Sequence, residues 1–68
     1  MNINKILKHH LKNKKFARIT RKISKNKTTI SRGYILDYNE RFVLLQETDD
    51  FRLLGMDLIE KSKIVEIR

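Results

Sequence analysis

The sequence predicts a mainly β domain in which an N-terminal α-helix precedes a small, strongly bent five-stranded antiparallel barrel. Three observations carry this. Apolar residues recur at helical spacing at the start, the period drops to two from Phe16 onward, and turn signals then return about every ten residues. With 68 residues the chain is one domain, residues 1–15 a basic helix and residues 16–68 the barrel.

Ile3, Ile6, Leu7, His10 and Leu11 lie at i, i+3, i+4, i+7 and i+8, a single helical stripe. Asn2 or Asn4 caps its start, because a short amide side chain accepts a bond from the free N–H groups of the first turn. Lys5, Lys8, Lys12 and Lys15 belong to the opposite face. A helix this short is marginal alone, so the stripe must pack on something.

From Phe16 the apolar residues Ala17, Ile19 and Ile23 alternate with Arg18, Thr20 and Lys22, a half-buried strand with a basic outer face. Ser24 to Lys27 reads as a polar hairpin turn. Thr28 to Tyr38 is a long strand rich in β-branched and aromatic residues, and Gly33 inside it marks a bend or a close backbone approach. Asn39-Glu40-Arg41 turns the chain into Phe42 to Gln46, and Thr48-Asp49-Asp50 is the next turn. Phe51 to Ile59 is one strand or two short pieces meeting at Gly55. Lys61-Ser62-Lys63 then turns into a last strand, Ile64 to Ile67.

Composition excludes several classes. There is no cysteine, so disulfides and thiolate metal sites are out. A core this small supplies roughly 3–5 kcal/mol, which makes self-association or a partner the expected source of further stability. No apolar run approaches the ~20 residues of a membrane span, and Met1 to His10 lacks the apolar stretch of a secretory signal. The expected location is the cytoplasm. Size excludes a large enzyme with a deep cleft.

Charge is the most informative property. The net charge is +8, and the two signs are segregated. Residues 1–32 carry eight lysines, three arginines and no acid, whereas residues 33–68 carry five basic residues and all eight acids. The first half cannot neutralise itself by local ion pairs. Salt, a polyanion, or the acidic half of another chain must screen it. Nucleic acid and anionic membrane surfaces are the usual polyanions, and a lysine-rich surface that only confers solubility is the bland alternative.

Catalytic chemistry has no residue to stand on. His9 and His10 point about 100° apart on a helix, whereas paired ligands on one helix sit at i and i+4. Glu47, Asp49 and Asp50 lack the alternating oxygen ligands of a calcium loop. Ser24, Ser31 and Ser62 have no arrangement that singles out a nucleophile, and no glycine-rich phosphate loop exists. Tyr34, Tyr38, Phe42 and Phe51 either stack on bases or pack in the core. The expectation is a non-enzyme without metal or cofactor.

Gly33, Ile35, Tyr38-Asn39 and the run Phe42 to Leu45 resemble the first motif of the Sm-like superfamily of small RNA-binding barrels, the LSm/Hfq-like fold. In that motif a bend glycine is followed by an aliphatic residue, an aromatic–acid pair and a hydrophobic run. The resemblance covers nearly the whole chain in pattern and about a dozen residues in identity. It implies an Sm-like (SH3-like) barrel, ring-like assembly and RNA as partner, with Lys61 at the basic position of the second motif. Val43 stands where the first motif carries a base-contacting Asn, and Glu60 lies beside Lys61. RNA contact is therefore expected at the basic helix and first strand, through Lys5, Lys8, Lys12, Lys14, Lys15, Arg18, Arg21 and Lys22, with Arg32 and Lys61 beside them. The alternative partner is an acidic protein surface, docked by the same basic half. A membrane-surface helix over residues 3–16 is a weaker third reading.

Overall fold

The computed structural model describes residues 2–49 and 52–68. Helix α1 (Ile3–Asn13) is followed by β1 (Phe16–Ser24), β2 (Lys27–Tyr38), β3 (Phe42–Asp49), β4 (Arg52–Glu60), a 3₁₀ turn (Lys61–Lys63) and β5 (Ile64–Ile67). The strands form one antiparallel sheet in the order β4-β3-β2-β1-β5. The fold is thus mainly β with an N-terminal helix, the class the sequence predicts.

Asn2, rather than Asn4, caps α1: its side-chain oxygen accepts the Lys5 N–H at 3.2 Å. Asn13 Nδ2 donates back to the His9 carbonyl at 2.8 Å, and the His10 ring Nδ1 donates to the Ile6 carbonyl at 2.9 Å. Lys14 ends the helix in the left-handed region at φ 51°. The Lys15 N–H then reaches the His10 carbonyl and the Lys14 N–H the Leu11 carbonyl, the paired bonds of a Schellman cap.

The bend is built into β2. Its first part pairs with β1 from Lys27 to Tyr34, and its last part pairs with β3 from Gly33 to Tyr38. At the changeover a Cβ on Gly33 would overlap the Gln46 carbonyl oxygen and lie 2.7 Å from its carbonyl carbon, so no side chain fits there. An irregularity between Ile35 and Asp37 adds curvature. In β4 the register shifts between the Glu47–Gly55 and Thr48–Leu53 pairs, and Gly55 adopts φ 126°, which only glycine takes without strain.

The core comprises Leu7, Ala17, Ile19, Ile35, Val43, Leu45, Ile59, Ile64 and Ile67, with Ile3, Ile6, Leu11 and Tyr38 packed against it. Helix and sheet therefore share one interior, and Leu7 is the helix residue sealed inside it. No described helix is long and apolar enough to cross a membrane.

Three expectations need correction. Ile23 is 61% exposed rather than half-buried, because the β1–β2 hairpin runs past the core and its register slips between Lys22 and Ser24. That hairpin turns through Lys25 and Asn26 alone, with Ser24 paired to Lys27. Thr48 and Asp49 are not a turn but the end of β3, paired with Leu53 and Arg52 of β4. Asp50 of that expected turn and Phe51 of the expected stacking set lie outside the described residues.

Candidate nucleic-acid interface

On α1 the lysines occupy the face opposite the stripe. At about 100° per residue, Lys5, Lys8 and Lys12 fall within an arc of ~60°, and all are exposed. At the C-cap and just past it, Lys14 and Lys15 are exposed as well. At the other end of the helix Lys61 donates to the Asn4 side-chain oxygen, and its ammonium lies 5.2 Å from the Tyr38 ring centroid. Cations therefore run from Lys61 along a helix about 16 Å long to Lys14.

The sheet carries a second group. Residues of β1 alternate, Ala17 and Ile19 inward, Phe16, Arg18 and Lys22 outward and exposed. The β1–β2 register sets Phe16 opposite Tyr34, Arg18 opposite Arg32 and Lys22 opposite Thr28. Arg18 and Arg32 are thus like charges directly across a strand pair, an arrangement that destabilises an unliganded sheet. Arg18 also exchanges both backbone hydrogen bonds with Arg68, at 2.8 and 2.9 Å, which places a third arginine in line. Arg68 is held by Glu66 at 2.7 Å. Among the described residues no carboxylate comes within ion-pair distance of Arg18 or Arg32.

Arg21 departs from the set. It shares the inward phase of Ala17 and Ile19 and its guanidinium meets the Asp57 carboxylate at 2.8 Å. Its charge is matched by a carboxylate inside the curled sheet, so Arg21 is not part of the outer cationic surface. The remaining nine sequence-predicted residues are placed on two connected surfaces: Lys5, Lys8, Lys12, Lys14, Lys15 and Lys61 with the helix, and Arg18, Lys22 and Arg32 on the sheet.

Two aromatic residues join them. Phe16 and Tyr34 are 46% and 42% exposed and pack edge to face with centroids 5.7 Å apart. Lys14 lines a groove with Tyr34 and Leu36, over the edge of β2 and the end of α1. Phe16 was not among the aromatic residues expected to stack, yet its phase with Arg18 and Lys22 already placed it outside. Tyr38 is half-buried against the core beneath Lys61, and Phe42 lies under the Arg41 guanidinium at 5.4 Å. The Asn39 side chain is occupied within its own turn, accepting the Arg41 and Phe42 N–H groups at 2.8 Å each.

Comparison of the chain with known protein families, curated proteins and solved structures returned no match.

Proposed function

We propose that the protein is a non-catalytic, Sm-like RNA-binding module that engages the phosphate backbone through α1 and the outer face of β1. The single observation that carries this reading is the exposed track of Lys5, Lys8, Lys12, Lys14, Lys15, Arg18 and Lys22, none with a carboxylate at ion-pair distance among the described residues. Phosphates supply the missing anions, and release of their counterions drives binding. The helix-first element order, the bend at Gly33 and the sheet order β4-β3-β2-β1-β5 support the Sm-like reading. Assembly into a ring belongs to the same proposal: β4 and β5 are the two edges of the sheet, and pairing them between copies would cover both.

The test is titration of a labelled single-stranded RNA at two salt concentrations, with the mass of the protein measured in parallel. Seven engaged phosphates give a slope of about −5 in log K against log salt. Absence of binding at about 50 mM salt, where such contacts are strong, overturns the reading. Assembly that dissolves in salt without any RNA affinity points instead to an acidic protein surface as the partner.

A further inference from the structure

We infer that the outer face of β1 and β2 is a stacking platform for single-stranded RNA, where Phe16 and Tyr34 take a base and Arg18, Arg32 and Lys14 take the flanking phosphates. This rests on the RNA reading above and adds base contact to a surface there described by charge alone. In the β1–β2 register the Phe16–Tyr34 pair is two residues along each strand from the Arg18–Arg32 pair, on the same face. One row is thus aromatic and the next cationic.

Each row is anomalous without a ligand. Two large rings are left nearly half exposed on a chain whose core is small. They pack edge to face, and an exposed aromatic ring is what sequence-tolerant base stacking uses. The two arginines face each other with no intervening acid, and a phosphate between them converts repulsion into paired charge-assisted hydrogen bonds. On the other side of Tyr34 the groove rimmed by Lys14 has an apolar wall at Leu36. Lys14 holds a left-handed backbone position where glycine is the usual residue, so a cation is kept there against a conformational cost. Alternating ring and cation match the alternating base and phosphate of a single strand. A duplex, with its bases already stacked, cannot use the rings.

The experiment uses fluorescein-labelled ten-nucleotide oligo(A), the same strand annealed to oligo(U), and the full chain. The single strand is expected to bind more tightly than the duplex. Tyr34→Ala should weaken oligo(A) binding about 5- to 150-fold with the salt slope unchanged, the range of one lost stacked base. Arg32→Gln should make the slope shallower by about 0.7, one phosphate. A second readout keeps the ring at position 34. The chain has two tyrosines and no tryptophan, so in Tyr38→Phe the fluorescence comes from Tyr34 alone, and oligo(A) should quench it. If Tyr34 is not quenched and Tyr34→Ala binds as tightly as wild type while Lys8→Gln and Lys12→Gln bind more weakly, the platform is overturned and electrostatic RNA binding stands. If wild type binds neither strand nor duplex, both readings fall.

Discussion

Arg21 on β1 and Asp57 on β4 lie 2.8 Å apart although β2 and β3 separate their strands in the sheet. Such a contact exists only because the sheet curls far enough for its first and fourth strands to face each other. The two side chains are 26% and 28% exposed, so the pair is shielded yet still reached by water. Removing the acid leaves a half-buried guanidinium with a single partner lost and its Nε already without one. Asp57→Ala is therefore expected to cost about 1–2 kcal/mol, below the range of a fully buried pair. The double variant Arg21→Met, Asp57→Leu should recover most of that loss. Urea titration of the wild type and both variants measures it, and equal losses in the single and double variants would refute the assignment.

Lys14→Gly should stabilise the fold. Relief of a left-handed L-residue is worth roughly 1–2 kcal/mol, and the added freedom of the unfolded chain takes back about 0.4–1 kcal/mol. A net gain of about 0.5–1 kcal/mol in chemical denaturation is expected. RNA affinity should fall in the same variant, with the salt slope shallower by about 0.7.

Gly33→Ala tests the bend. The new methyl would meet the Gln46 main chain rather than a movable side chain, so β2 and β3 must separate where β2 changes partners. A loss of more than about 3 kcal/mol is expected, seen as an unfolded or aggregated product. Gly55→Ala offers a contrast, since open space surrounds that position and only the backbone at φ 126° is strained.

Leu7→Ala should cost about 2–5 kcal/mol, the range for a deleted core leucine. Leu7 is the buried residue of α1, so the helix is expected to loosen from the sheet. Helical far-UV signal should then fall at lower denaturant than the exchange protection of β2 and β3.

These elements differ in how far the sequence announces them. The stripe of Ile3, Ile6, Leu7 and Leu11 and the alternation of Ala17 and Ile19 were legible, because burial imposes its period on composition. Gly33 was legible for the same kind of reason, a missing side chain in a strand. The end of α1 was approximate, since Lys14 does the work usually given to glycine. Thr48 and Asp49 read as a turn by residue type, yet pairing with β4 overrides that preference. Of the candidate interface, the exposed lysines of α1 followed from the helix period. Arg21 was legible in phase but not in partner: its inward position implied an acid, and nothing local marks one 36 residues away. The Arg18–Arg32 juxtaposition depends on hairpin register, which the two-residue turn at Lys25–Asn26 and the slip between Lys22 and Ser24 set together.

Because one strand supplies partners to both sides of the bend, β2 ties the N-terminal and C-terminal halves into a single cooperative unit. Neither half can unzip without stripping hydrogen bonds that the other shares near Gly33. Amides on either side of that glycine should accordingly be the last to trade their protons for deuterium, and a nick there should leave two fragments that are each unable to hold a shape. The Lys25–Asn26 tip, by contrast, is where the molecule would best tolerate new chain ends.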